Sequence, residues 1–288
     1  MHYRIQDSAI ESFLEEDVPY GDLTTTLLGI DGMAGEIRFT TRERTAICCT
    51  EEAGRLLEKC GAETTFSLPS GTVAEPGTLI LKAEGLAGGL HAGWKAAVNL
   101  LEYASGIATR TMNIVERAKA ANPGVSVVTT RKSFPGTKKV AIKAIMAGGA
   151  LPHRLGLSGS ILVFPQHTVF TGGLEPFLDT LAALKKKAPE HRIIVEAESP
   201  DEALIIARAG ADVVQVDKLS IAALSKLVLD IRATCPGVAV SAAGGINADN
   251  AAAYAATGID IIVLSSVYFG KPSDISAVIN NKHQPYKP

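Results

Sequence analysis

RIIVEAESPDEALIIARAGADVVQVD, residues 192–217, decides the fold class. It opens on a short run of Ile and Val, breaks at Ser199-Pro200, and resumes as DEALIIARAGA with apolar residues at helical spacing. Acids at the front and Gly210 just behind are the start and stop signals of a helix. A second apolar run, DVVQVD (212–217), follows at once. Near-continuous apolar strands on either side of a helix call for a parallel sheet covered by helices. Working outward, the same rhythm recurs in VSVVTT (125–130), SILVF (160–164), VAVSA (238–242) and DIIVLSS (260–266). Helical patterns occupy 138–147, 176–187, 201–209, 220–233 and 248–256. Six such strands predict a β/α barrel, complete or partly open, and their irregular spacing gives no sign of sequence repeats.

The first 110 residues read differently. A helix is expected near 7–16, then a turn at Pro19-Tyr20-Gly21-Asp22, a strand over 35–49 and a helix over 50–60. Strand-like TFSL and TLILKAEG follow, and a long helix from about 89 to 121 links the two halves. Strands and helices that do not alternate regularly predict a separate α+β layer domain. The expected division is therefore 1–110 for this domain, 111–270 for the barrel, and 271–288 for a proline-containing tail ending on the surface.

Composition narrows the function. The chain has 288 residues, with 28 Lys+Arg against 30 Asp+Glu. That balance argues against a nucleic-acid binder, which would be strongly basic. Four cysteines form no CxxC pair, and Cys48-Cys49 are adjacent, so a reduced thiol set is expected. The N-terminus meets acids before any apolar core of a signal peptide, and no apolar run approaches the roughly 18 residues of a membrane span. A cytoplasmic protein without membrane insertion is the expectation.

The sum of charges conceals their distribution. Residues 117–174 contain no Asp or Glu, where the chain's average frequency would give about six. The same window holds Arg117, Lys119, Arg131, Lys132, Lys138, Lys139, Lys143 and Arg154, plus His153 and His167. A merely solvated basic face usually intersperses acids. An anion-binding site fits better.

In β/α barrels, sites form at the C-terminal ends of the strands. Those positions here are Thr130-Arg131-Lys132, Phe164-Pro165-Gln166-His167, Glu196 and Glu198, Asp217-Lys218, Ala243-Gly244-Gly245, and Ser265-Ser266. One rim thus collects cations, carboxylates and a Gly-Gly turn. The combination suits a phosphorylated ligand with a divalent metal: turn N–H groups hold phosphate, and carboxylates hold hydroxyls or metal-bound water. Arg and Lys clamp carboxylate or phosphate oxygens. Glu196 shares the parity of Glu198, and the residues alone leave open whether it faces the ligand or only supports its neighbour. No Ser-His-Asp order, HExxH or Cys/His metal spacing occurs.

At TRKSFPGTKKVAIKAIMAGGALPHRLGL (130–157) the chain resembles the nicotinate-nucleotide pyrophosphorylases, also called quinolinate phosphoribosyltransferases. EEDVPYGDLTT (15–25), NLLEYASGIATRT (99–111), VEAES (195–199), the Asp217 strand end, AAGGI (242–246) and YAATGIDII (254–262) extend the likeness over nearly the whole chain. Its wording is nearest the ModD branch, encoded with molybdate-transport systems. The resemblance implies an N-terminal α/β sandwich packed on an open β/α barrel, and a homodimer whose active sites are completed across the interface. It implies transfer of a phosphoribosyl group from phosphoribosyl pyrophosphate to quinolinate with Mg²⁺, releasing pyrophosphate and carbon dioxide. On that likeness Arg131, His153 and Arg154 bind substrate carboxylates, and Lys132 bridges toward the phosphoribosyl group. Glu198 and Asp217 hold the ribose hydroxyls and the metal, while Gly244 and Gly245 hold the 5′-phosphate. Lys95, beside Trp94, falls where the family has an arginine reaching the neighbouring subunit. His167 and Ser265 complete the expected substrate-binding set.

Several positions depart from the family pattern. Phe164-Pro165 replaces a Lys-Asp pair, Pro152 an asparagine and Ala243 a serine, while Ser265 and Phe269 replace Gly and His. A dicarboxylate pocket that loses cations and gains aromatics has changed its ligand. The expectation is a small anionic substrate pair in which the phosphoribosyl half is kept and the acceptor is a ring other than quinolinate. Two other readings stand beside it: a true carboxylating pyrophosphorylase, and a non-catalytic anion-binding protein linked to molybdate transport.

Overall fold

The computed structural model describes residues 3–282. Two compact units form. The first takes the chain up to Met112, then 134–149 and the segment from Tyr268 onward; the second takes 113–133 and 150–267.

The first unit opens with α1 (Asp7–Asp17) and the short α2 (Leu23–Leu28). Asp22 starts α2 by accepting hydrogen bonds from the Thr24 and Thr25 amides at 2.9 and 3.2 Å, and Gly29 ends it at φ +65°. These are the expected devices for orphan helix donors and a left-handed exit. Then come β1 (Ala34–Thr41), β2 (Thr45–Ala46), α3 (Thr50–Lys59), β3 (Glu63–Ser67), β4 (Val73–Ala74) and β5 (Leu79–Leu86). The single strand expected over 35–49 is thus two strands with a turn between them. Along β1 buried and half-buried residues alternate strictly, the period-two signature of a sheet with one face on a core. Ile37 and Phe39 on that face are fully buried with Leu56, Leu57, Leu90 and Leu101. The unit also receives α5 (Lys138–Ala147). Gly148 permits close packing behind it, because a Cβ there would lie 2.5 Å from the Ala108 carbonyl.

The expected C-terminal tail is corrected. Residues Ile275–Asn281 form β13, which pairs antiparallel with β1 in a sheet ordered β13-β1-β5-β3. The physical reason is alternation: Ile275, Ala277 and Ile279 face the core of the first unit. Of the three tail prolines, Pro272 precedes the strand, and Pro285 and Pro288 lie outside the described residues.

Helix α4 (Ala87–Ala121) contributes to both units, passing from the first to the second after Met112. In the second unit the strands are β6 (Ser126–Thr129), β7 (Leu151–Pro152), β8 (Ile161–Val163), β9 (Ile193–Ala197), β10 (Val213–Asp217), β11 (Ala239–Ala243) and β12 (Ile261–Leu264). Its helices are α6 (Pro165–Thr168), α7 (Leu174–Lys187), α8 (Pro200–Arg208), α9 (Ile221–Thr234) and α10 (Ala251–Ala256). All neighbouring strands are parallel, in the order β7-β6-β12-β11-β10-β9-β8. First and last strands of the chain order, β6 and β12, therefore pair, and the sheet is an open barrel with edges at β7 and β8. The two-residue β7 was not among the six expected strands. It is too short to carry a periodic signal, and Pro152 is tolerated there because it lies on an edge. Ser199 caps α8 by accepting from the Glu202 amide at 3.2 Å, as the Ser-Pro-acid signal predicts. No helix among the described residues is long and apolar enough to cross a membrane.

Candidate active site

The C-terminal ends of the barrel strands surround a cavity of about 630 Å³. Arg131 and Lys132 enter it just after β6, His153 and Arg154 just after β7, Asp217 at the end of β10, and Gly244-Gly245 after β11. Strand pairing brings these distant segments together: Val128 lies opposite both Leu151 and Val263, and Asp217 opposite Ala243.

The Gly-Gly turn has a steric cause. Gly244 adopts φ +88°, and a Cβ there would fall on the Asp217 carboxylate and 2.9 Å from the Lys218 amide nitrogen. Gly245, at φ +70°, has open space around its Cβ position. Both backbones can therefore approach a ligand closely. Beside the turn, Lys218 is itself left-handed at φ +55°, and its amide donates to the Ala243 carbonyl at 2.8 Å. A strained non-glycine residue ending a barrel strand is a common companion of a ligand site.

Cations and carboxylates share the cavity lining. Among the described residues, none of Arg131, Lys132 and Arg154 forms an ion pair with a carboxylate. Burial, together with the nearby Arg131 charge, lowers the Arg154 guanidinium below its ordinary value. Burial and then the Arg154 charge push the His153 imidazole down as well, and its buried Nε2 has no hydrogen-bond partner. Uncompensated cations held near one another are a site prepared for an anion. Glu196 lines the same cavity; burial raises its carboxyl, a hydrogen bond from Gln215 and the Lys132 charge act the other way, and Asp217 and Glu198 add like charge. Thr130 Oγ1 and Ser265 Oγ close one wall at 2.7 Å.

The family is read from the whole chain. The description "Quinolinate phosphoribosyl transferase, N-terminal domain" matches residues 22–105, and its C-terminal counterpart matches 107–277. The chain belongs to this family. A Rhodobacter capsulatus protein named "Putative pyrophosphorylase ModD" is 42% identical over 250 residues, which cover 87% of this chain and 96% of the relative. The human nicotinate-nucleotide pyrophosphorylase (carboxylating) is 32% identical over 218 residues, covering 76% and 73%. In fold, the chain is similar to the nicotinate-nucleotide pyrophosphorylase of Francisella tularensis, with a TM-score of 0.85, 23% identity, and coverage of 96% and 98%.

In this quinolinate phosphoribosyl transferase homologue the cavity gathers most of the expected residues. Arg131, Lys132, His153, Arg154, Asp217, Gly244, Gly245 and Ser265 all line it. Three others do not. Glu198 lies just beyond β9, exposed, with its amide donating to Glu202 Oε2 at 2.9 Å, although its charge is felt at Glu196. His167 is exposed on α6, where Nδ1 accepts the Phe164 amide at 3.0 Å and the two rings stack at 5.8 Å. Lys95 belongs to the first unit, with Nζ 4.7 Å above the Trp94 ring. Sequence reasoning missed one lining residue of consequence, Gln215, and left Glu196 undecided. The available signal was Gln215 itself, a polar residue inside the apolar run Val213, Val214, Val216 and at the parity of Asp217.

Proposed function

We infer that this protein transfers a phosphoribosyl group from phosphoribosyl pyrophosphate to a heterocyclic acceptor other than quinolinate, releasing pyrophosphate. The observation that carries this reading is one cavity whose lining joins cations without an ion-pair partner, carboxylates and a Gly-Gly turn. An oxyanion-binding protein has no use for Asp217 and Glu196 beside its ligand, since they repel it.

In this reading Gly244 and Gly245 take the 5′-phosphate on backbone N–H groups. Asp217 holds the ribose hydroxyls from the cavity lining, and Glu198 reaches toward them from its exposed position just beyond β9. Arg131, His153 and Arg154 take the anionic group of the acceptor, with Ser265 on the adjoining wall, and Lys132 reaches toward the pyrophosphate. His167 acts by setting the position of Phe164.

Mg²⁺ suits these residues. Among the described residues no cluster of three or more His, Cys, Asp or Glu could cage a metal. Mg²⁺ does not need a cage, because it is commonly held by one or two carboxylates together with substrate phosphates and water. Asp217 and Glu198 are the oxygen donors that would hold it, and when bound it neutralises the departing pyrophosphate.

The bond from the sugar carbon to pyrophosphate breaks with its electron pair leaving on oxygen. A ring-nitrogen lone pair then forms the new bond. Positive charge develops on the sugar in between, and carboxylates fixed beside the ribose favour it, while Arg and Lys favour the leaving group. No side-chain nucleophile is required. The homodimer belongs to the same proposal, with Lys95 of one copy completing the site of the other.

Pyrophosphate release with phosphoribosyl pyrophosphate, Mg²⁺ and a panel of heterocyclic acids tests the reading. Turnover with at least one acceptor, abolished in Asp217→Asn and Glu198→Ala, is the expected result. Efficient use of quinolinate by the unaltered protein would overturn the acceptor assignment. No release with any acceptor, alongside tight molybdate binding, would overturn the enzyme itself.

A further inference from the structure

Below the cavity mouth the strands present a second chemistry. Val163 lies opposite Val195, so Phe164 follows beside Glu196; Glu196 lies opposite Gln215, and Gln215 opposite Ser241. Strand alternation turns this row inward. One layer deeper, Leu162, Ile194 and Val213 pack as an apolar cluster with Ala239 against it. One layer higher are Asp217 and Ala243 at the rim. Two residues of strand separate successive layers, about 6.6 Å. Phe164, Glu196 and Gln215, all in the cavity lining, therefore form a floor beneath the proposed phosphoribosyl site, with Ser241 fully buried next to Gln215 outside the lining.

That floor is polar without a structural need to be. Gln215 is 4% exposed and Ser241 fully buried, in strands whose other members are mostly Val and Ala. Gln215 Nε2 donates to Glu196 Oε2 at 2.7 Å. A carboxylate only accepts, so the amide must turn its nitrogen to Glu196 and its carbonyl oxygen away. Gln215 Oε1 and Ser241 Oγ are both buried without a partner in the protein. Buried polar groups in this state are costly, and one that belongs to a cavity lining, as Gln215 does, is placed to be satisfied by a ligand.

The cavity is consequently polarised. Its mouth carries donors, on Arg131, Lys132 and Arg154, whereas the floor offers acceptors, on Gln215 and Glu196. Phe164 adds a flat apolar face beside them. Quinolinate, with two carboxylates and a pyridine nitrogen, has only acceptors to offer and leaves the floor unmatched. A planar ring with an anionic group at one edge and a donor at another matches both.

We propose that the acceptor is an aromatic heterocycle carrying an amino, hydroxyl or ring N–H donor in addition to its anionic group, and that Gln215 Oε1 recognises this donor. The proposal rests on the phosphoribosyl-transfer reading of the same cavity and specifies its substrate class. Gln215 is thereby a specificity-determining residue, with Ser241 supporting it in the same row.

Calorimetric titration of the full chain with nicotinate and with its 2-, 5- and 6-amino derivatives, in the presence of Mg²⁺ and pyrophosphate, tests it directly. One amino derivative should bind at least about 10-fold tighter than nicotinate, since a site built to hydrogen-bond a group rejects the analogue lacking it. Gln215→Met, close in size and apolar, should reduce that preference to less than about 2-fold, and Ser241→Ala should weaken it in the same direction. Affinity for phosphoribosyl pyrophosphate should be unchanged in both variants. Equal affinity for all four ligands, no binding of any, or a preference that survives Gln215→Met would overturn the proposal. Loss of phosphoribosyl pyrophosphate affinity in Gln215→Met would also overturn it, by assigning the floor to the ribose. Thermal unfolding of each variant separates these results from misfolding, for which Gln215→Leu provides a second apolar replacement. An amino preference without pyrophosphate release from any acceptor breaks the enzyme reading and leaves the recognition intact; release without the preference does the reverse.

Discussion

Two groups of cations come from the same acid-free stretch and have opposite surroundings. Lys143 on α5, in the first unit, is 8% exposed and paired with Glu51 Oε2 at 2.8 Å and with Glu52. Glu52 is itself 1% exposed and also accepts from Arg55 at 3.1 Å. Arg131, Lys132 and Arg154, in the second unit, line a cavity without such partners. One set has its acids supplied from elsewhere in the chain and is part of the architecture. The other is left for a ligand. Basic character along a sequence is therefore no guide to function until the partners are located in space.

The sharpest way to break this contrast is to remove a member of each set. Lys143→Met should lower unfolding free energy by about 3 kcal/mol in urea titration, the lower end of the cost of breaking a buried pair, because the buried Glu52 keeps Arg55 as its remaining cation. A loss below about 1 kcal/mol would place that network among weak surface pairs. Arg131→Ala should behave oppositely. Its stability should stay within about 0.5 kcal/mol of the unaltered protein. Its kcat/KM with the best acceptor should fall about 100- to 1,000-fold, the usual loss on removing one preorganised charge-stabilising group. Destabilisation on the scale of Lys143→Met would make Arg131 structural instead.

Ligand binding sharpens the comparison with a smaller effect. Mg²⁺ and pyrophosphate at about 100 times the dissociation constant should stabilise the protein by about 2.7 kcal/mol, read as a rise of several degrees in thermal midpoint. The rise should vanish in an Arg131→Ala, Lys132→Ala double variant and persist in Glu51→Gln. The smallest effect concerns acid. Burial alone would raise the Glu51 carboxyl, but hydrogen bonds from Lys143 and Ser70 outweigh it and lower it from 4.5 to about 2. Since the folded value is the lower one, Glu51 contributes stability in full above about pH 4.5 and loses it as pH falls through about 2. Stability measured from pH 6 to pH 2 should decline less steeply in Glu51→Gln. Identical slopes would remove the Glu51–Lys143 pair from the acid response.

Much of the barrel was legible because a buried parallel strand needs a run of apolar residues and its helix needs caps. Ser199, Gly210 and the Val- and Ile-rich runs announce both. Elements that depend on partners far along the chain were hidden. Leu151–Pro152 is a strand only because β6 lies beside it, and Ile275–Asn281 only because β1 offers an edge 234 residues earlier, counting from Thr41 to Ile275. In the site, the strand-end positions Asp217, Arg131 and Lys132 all lie in the cavity lining. At β9, by contrast, Glu196 lines the cavity and Glu198 lies exposed beyond the strand.

The sequence by itself determined the alternation of strands and helices, the glycines that a left-handed turn requires, and membership of a phosphoribosyltransferase family. These are written locally, in periodicity, caps and motifs. Tertiary structure alone decided which charges are compensated and which polar groups remain unpaired, because both depend on neighbours that register and packing bring together. Lys143 and Arg131 are both basic residues of one stretch, yet carboxylates meet only the first. Gln215 is an oddity in an apolar strand until the parallel register sets it between Glu196 and Ser241, where its amide donates to Glu196 and its carbonyl oxygen is left buried without a partner in the protein.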